Sequence, residues 1–468
     1  MKTPEFKKAA LDWINLNKDE FYQAADSIWK VPELGMEEHK SSAVLIELLE
    51  KNGFMVEKGV AGMPTAFMAT FGSGKPVIGF SAEYDCLPGL SQEVCTEKKP
   101  ITEGAPGHGC GHNLLGVAAI KAAIALKTIL EANRLAATLK VFGTPAEEIC
   151  IGKPFMARAG LFRELDVFLD WHPSISNRAD YDICNAYFNI KYHFTGRTAH
   201  GNSPWHGRST LDAAMLQAHA VEMLREHIPP SPSLDAANTI NYTFSDVGPE
   251  FPSVVPDRTT AWYVGRFCTA ELMVDVISRI NKCAEAAAMA TDTTVRIELI
   301  TATHDKIPNR VLAEVMNRNL NEIGSPQFTK EEHDFVRQLQ KNYGVAETGL
   351  DETILPFGGG YSGVCDTSEY SWFTPYATAW ITLAPPGVGL HNWVVTSCAG
   401  SSIGRKTLDV AAKVLAATAI DVIMNPDIVK AARLELQDRL ACRDFTQLLP
   451  DTLKPALTIN AATMAKYR

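Results

Sequence analysis

Residues 107–116 read GHGCGHNLLG, with His108, Cys110 and His112 at alternate positions between glycines before the chain enters the apolar run LLGVAAIKAAIAL. Glycine lets a backbone turn tightly and approach a ligand closely, and imidazole and thiolate are ligands that borderline-soft divalent metals prefer. The stretch reads as a metal cradle feeding a helix predicted over about 114–132. Such a cradle needs further ligands, and where they come from decides the fold.

Upstream, VIGFSA at 77–82 reads as a buried strand and runs into EYDCLPGL, which sets Glu83 and Asp85 just past the strand end. Downstream, TLKVFGTPAEE at 138–148 is a strand followed by Glu147 and Glu148; DVFLD at 166–170 is followed by His172; and a run at 377–383 leads through PPGVGLHNW to His391. Helical patterns fill the intervals, including one ending near Asn52 with Leu45, Leu48 and Leu49 on one face and another over 401–424; shorter β runs lie at 55–60 and 66–71. Chemistry delivered repeatedly to strand ends is the habit of open α/β folds, whose sites gather beyond the carboxyl ends of parallel strands. The expected fold is α/β, with a mixed, mostly parallel sheet flanked by helices. Neighbouring carboxylates such as Glu147 and Glu148 point in different directions, so one can ligate a metal while the other acts as a base.

The pattern changes from about residue 185. Strands over 186–195, 238–246, 258–267 and 293–301 alternate with helices over 210–226 and 270–289, a β-α-β-β-α-β order that makes a self-contained, ferredoxin-like α+β sheet. We read residues 185–304 as an inserted domain and residues 1–184 and 305–468 as two parts of one catalytic domain. Inside the insert, TAHGNSPWHGRSTLDAA at 198–214 carries His200 and His206 in a loop. Arg266 ends the strand WYVGRF and offers a fork suited to a carboxylate.

The 468 residues carry a net charge of −10 and no Lys/Arg-rich run, which argues against nucleic-acid and anionic-membrane partners and for a small molecule. Asp12, Asn15 and Asn17 interrupt the N-terminal segment, so it lacks a signal-peptide core, and the apolar run 114–126, broken by Lys121, reads as too short to span a bilayer. Ten cysteines without paired spacing suit a reducing cytoplasm.

The phrases EYDCLPGLSQ, GHGCGHNLLG, TPAEE, DWHP, TAHGNSPWHGRSTLDAA and LHNW together resemble the metal-dependent amidohydrolases that include aminoacylases, carboxypeptidases and indole-acetyl-amino-acid hydrolases, and in particular their p-aminobenzoyl-glutamate-cleaving branch. The resemblance covers nearly the whole chain. It implies two divalent ions, zinc or manganese, held by Cys110, His112, Glu148, His172 and His391, with Cys110 touching both and Glu147 as general base. Asp85 takes the acidic position behind the metals, Glu83 lies near one of them, and His108 becomes a supporting loop residue. The insert becomes a dimerisation lid whose His200 reaches a cleft, often the partner's, and holds the substrate carbonyl. Arg266 is our own candidate for the substrate carboxylate, and His206 is a further substrate-side candidate.

The implied reaction is hydrolysis of an amide in an N-acyl amino acid such as p-aminobenzoyl-glutamate. A dipeptidase acting on β-alanyl or similar dipeptides is the alternative, and a non-catalytic metal-containing binding or regulatory subunit is the alternative of another class. A homodimer through the insert, or a heteromeric partner subunit, is the expected assembly. Three places depart from or blur the pattern: Ser253 in FPSVVPD stands where relatives often carry Asn, the segment Phe357 to Gly360 is unusually rich in glycine, and Glu369 is a weak candidate for a cleft acid.

Overall fold

The computed structural model describes residues 3–441 and 443–468. Its larger sheet has seven strands: β1 (Met55–Lys58), β2 (Phe67–Ser73), β3 (Val77–Ala82), β4 (Ala137–Gly143), β5 (Val167–Ser174), β6 (Arg178–Asp180) and β11 (Tyr376–Thr382), in the order β1-β2-β4-β3-β5-β11-β6. The central four, β4, β3, β5 and β11, are parallel, and the edge pairings are antiparallel. Every residue of β3 and β4 is buried, as expected for parallel strands covered on both faces.

The strand period of two divides those residues between two cores. Ile78, Phe80, Leu139, Val141, Leu169 and Trp171 face a helical layer built on His112–Asn133 and Ser402–Met424. Val77, Phe142 and Phe168 face the other way, where Phe168 stacks on Tyr370 with ring centroids 3.7 Å apart.

The predicted cradle helix starts two residues earlier than its apolar pattern, so His112 is its first residue, and Gly111 precedes it with φ +79°. Gly116 lies against the end of β3: its N–H donates to the Glu83 carbonyl at 3.2 Å, and a Cβ there would stand 2.8 Å from that oxygen. Contrary to the expectation from the apolar run, this helix is not too short for a bilayer. It has 22 residues and is apolar enough to cross one, but 89% of the relevant window is buried inside the protein, so packing and not shortness makes it a core helix. Lys121, read as an interruption, is fully buried and donates to Asp409 at 2.6 Å. Removing one partner of such a pair leaves an uncompensated buried charge, so Asp409→Ala should cost about 3–5 kcal/mol, and Lys121→Met with Asp409→Leu should recover most of it. Denaturation midpoints check this; equal midpoints for the two variants would contradict it.

The smaller sheet contains β7 (Ala186–Thr195), β8 (Thr239–Gly248), β9 (Arg258–Phe267) and β10 (Thr294–Thr303) in the order β10-β7-β9-β8, with every pairing antiparallel. Its helices, Thr210–Leu224 and Ala270–Ala290, are each capped by a hydroxyl: Ser209 accepts from the Asp212 N–H and Thr269 from the Leu272 N–H, both at 3.2 Å. This is the expected β-α-β-β-α-β arrangement.

Candidate metal centre

The parallel order of β4, β3, β5 and β11 brings their carboxyl ends to one edge of the sheet, and the groups just beyond them converge. β5 runs on to Ser174, beyond the predicted end at 170, because His172, Pro173 and Ser174 pair with Trp380, Ile381 and Thr382 of β11. His172 is therefore held inside a strand rather than on a loop. Glu147 and Glu148 sit on a single 3-10 turn, Glu147–Ile149, flanked by two non-glycine residues in left-handed conformation, Ala146 (φ +56°) and Cys150 (φ +55°). His391 also has positive φ, +66°, in the loop after β11.

Cys110 joins two groupings that could each hold a metal ion. Donor atoms of Cys110, His112 and His172 lie within 4.8 Å of one another, and so do those of Cys110, Glu148 and His391. The Cys110 sulfur is 3.5 Å from His172 Nε2, and His391 Nε2 is 3.3 Å from Glu148 Oε2. His172 Nδ1 donates to the Pro173 carbonyl at 2.7 Å, which turns the unprotonated Nε2 toward the sulfur. Asp85 sets two of the groups at once: Oδ1 accepts from His112 Nδ1 at 2.9 Å, and Oδ2 accepts from the Glu148 N–H at 3.0 Å. Among the described residues that leaves His112 Nε2 and Glu148 Oε1 buried without a hydrogen-bond partner, a costly arrangement in an apolar setting. Thiolate, imidazole and carboxylate donors with two such orphaned atoms fit a borderline-soft divalent ion of the zinc or manganese kind.

The electrostatics are those of a crowded acidic site. Burial, then the Glu148 charge, pushes the Cys110 thiol well above its usual range, and burial does the same to the Glu148 carboxyl. Burial and the nearby Glu83 charge raise Glu147. His172 is lowered to about 4 by burial and by His112. His112 rises well above its usual value, because Cys110 and Asp85 outweigh the desolvation that opposes its charge. Two bound cations would reverse much of this.

Of the two cradle histidines only His112 enters the cluster. His108 is buried elsewhere, with Nε2 3.2 Å from the Ile28 carbonyl, and burial lowers it to about 3. Glu83 is close, its Oε2 3.4 Å from His112 Nε2. His200, His206 and Arg266 are not brought to the cluster. His200 is exposed and its Nδ1 accepts the Asn202 N–H at 3.0 Å; His206 Nε2 accepts from Trp205 Nε1 at 3.1 Å. Arg266 lies over the Tyr187 ring at 5.6 Å and has no ion-pair partner among the described residues. Glu369 accepts from His304 Nδ1 at 2.8 Å, and the Ser253 carbonyl takes the Gly201 N–H.

Three neighbours escaped the sequence reading. Cys365 donates through sulfur to Glu147 Oε1 at 2.9 Å, and Lys153 and Asp366 pair at 2.6 Å close by. The visible signals were faint: a lysine in the apolar ICIGKPF, and an acid just after the glycine-rich loop.

The fold itself is known. A dinuclear metal-binding peptidase of the M20 family from Bacillus subtilis superposes with a TM-score of 0.54 at 16% identity, over 87% of this chain and 99% of that one. The chain matches no family model. Among curated proteins it is 33% identical to one of the subunits of p-aminobenzoyl-glutamate hydrolase from Escherichia coli K12, over 95% of this chain and 98% of the relative. It is 28% identical to the Xaa-Arg dipeptidase of Mus musculus, over 93% of each. The chain belongs to the family of metal-dependent amidohydrolases, aminoacylases and carboxypeptidases, and it is a hydrolase.

Proposed function

We propose that this chain is a two-metal amidase that cleaves the amide of an N-acyl amino acid, with p-aminobenzoyl-glutamate or a close analogue as substrate. The observation that carries this reading is the sharing of Cys110 between two ligand sets, with the Glu147 carboxyl alongside. In it, Cys110, His112 and His172 hold one ion, and Cys110, Glu148 and His391 hold the other. Ions there would activate a water and polarise the scissile carbonyl. Glu147 takes the proton of the attacking water and delivers it to the leaving nitrogen. Asp85 fixes the His112 ring and the Glu148 backbone.

The insert, residues 185–304, serves as a dimerisation lid between the two parts of the catalytic domain. Supporting this, β8 is an edge strand, and the helix Thr210–Leu224 exposes Met215 (56%) and Met223 (60%). His200 then acts in the partner's cleft: its Nδ1 is already an acceptor, so Nε2–H is free to donate to the substrate carbonyl. Arg266 grips the substrate carboxylate. Arg266→Met should accordingly raise KM for glutamate-terminated substrates about 10- to 100-fold, the worth of a charge-assisted hydrogen bond, with little change in kcat. Initial rates across substrate concentration check this; an unchanged KM removes Arg266 from the site.

The name of the 28%-identical relative favours dipeptides as the second reading. The deciding experiment loads the protein with zinc or manganese and compares kcat/KM on p-aminobenzoyl-glutamate, other acyl-glutamates, Xaa-Arg dipeptides and β-alanyl dipeptides. A preference for acyl-glutamates is expected. A preference for dipeptides moves the assignment to a dipeptidase, and no turnover of either class at full metal content points to a binding subunit. Because the 33%-identical relative is named as a subunit of its hydrolase, a heteromeric partner is the assembly to test beside the homodimer.

A further inference from the structure

The reaction above leaves a buried cation beside the candidate ligands without a task. Lys153 lies in the short helix Gly152–Arg158, five residues past Glu148, and its side chain is completely enclosed. Its Nζ is 2.9 Å from Glu83 Oε1 and 2.6 Å from Asp366 Oδ1, and its N–H donates to Asp366 Oδ2 at 3.3 Å. The carboxylates it joins are not remote from the ligands: the other oxygen of Glu83 is 3.4 Å from His112 Nε2, and among the described residues neither Nε2 nor either Glu83 oxygen has a hydrogen-bond partner, so the Lys153 ion pair is what holds this carboxylate.

Besides the two sets that share Cys110, two more groupings have the make-up of ligand sets: Glu83, His112 and Glu147, and Glu147, Cys365 and Asp366. Lys153 pairs with a member of each. Buried carboxylates so close together need a compensating cation, and an ammonium, a compact point charge with three donors, can meet that need where an ion otherwise would.

We propose that Lys153 is a positioning residue: a fixed internal cation that keeps Glu83 and Asp366 from ligating metal and so confines binding to the two Cys110-sharing positions. This rests on the two-ion reading above. Without the ammonium, Glu83 becomes a free carboxylate beside His112 and Asp366 one beside Glu147 and Cys365, oxygen-bearing groupings of the kind that take manganese.

The test counts ions rather than turnover. Wild type, Glu83→Gln, Lys153→Met, Lys153→Arg and the Lys153→Met/Glu83→Gln double variant are dialysed against manganese, checked for folding by circular dichroism, and analysed for metal per chain. Glu83→Gln and Lys153→Arg should match wild type in count and affinity. Lys153→Met should bind one additional ion, which the double variant loses again. Loss of an ion in Glu83→Gln would overturn the proposal, as would a folded Lys153→Met with wild-type count and affinity. Should Lys153→Met not fold, Glu83→Gln decides alone, retention of metal supporting the proposal and loss refuting it. A wild-type chain that binds fewer than two ions would instead sink the two-ion reading, while Glu83→Gln still reports whether Glu83 ligates the ion that is present.

Discussion

Glu147→Gln should lower kcat by roughly 10²- to 10⁴-fold while leaving the metal content intact, because the amide keeps the shape of the side chain and loses only its capacity to take and return a proton. KM should move little, since the lost interaction belongs to the transition state. Steady-state kinetics on metal-loaded protein, with metal analysis of the same sample, measure both quantities. Retention of most of the activity at full metal content would remove Glu147 as the base and favour the binding-subunit reading. The Cys365 thiol, which donates to Glu147 at 2.9 Å, offers a milder comparison. Cys365→Ser keeps a donor at that place and should cost far less than the change at Glu147 itself.

On the two-ion reading, Cys110→Ala should have the second large effect, a fall in metal content that exceeds one ion per chain, because this sulfur belongs to both proposed ligand sets. His108→Ala, two residues away in the same cradle, should leave metal content near wild type. It should lower stability instead, since His108 is buried and bonded to the Ile28 carbonyl. Metal analysis and thermal melting of the two variants separate these effects, and the reverse ranking in metal content would undo the assignment of the cradle.

What could be read in advance followed the range of the interactions concerned. Strand ends at Glu83, Asp85, Glu147 and Glu148, and the β-α-β-β-α-β order of the elements from Ala186 to Thr303, are set by period and turn residues a few positions away, and they were legible. The ligand roles within the cradle were not: local pattern left His108 and His112 equivalent, and the family resemblance had to choose. The reach of β5 through His172 depends on pairing with β11, about two hundred residues further on, and local punctuation at Pro173 pointed to an earlier end. Lys121 looked like a break in an apolar run because its partner Asp409 lies 288 residues away. Lys153 was missed for the same reason, with Asp366 at a separation of 213 residues.

The two proposed ligand sets differ in their access to solvent. The His112 side chain is wholly enclosed, whereas His391 leaves 52% of its side chain exposed on a loop. On the two-ion reading the outer ion then exchanges with the medium far sooner than the inner one. A chelator added to the loaded protein should remove metal in two phases of similar amplitude, the fast one abolished as a separate phase by His391→Ala. Whichever ion the cell supplies last would occupy the outer position, so a single preparation can carry two different metals in kinetically distinct seats, and a mixed metal analysis would report the history of the sample rather than a lack of selectivity.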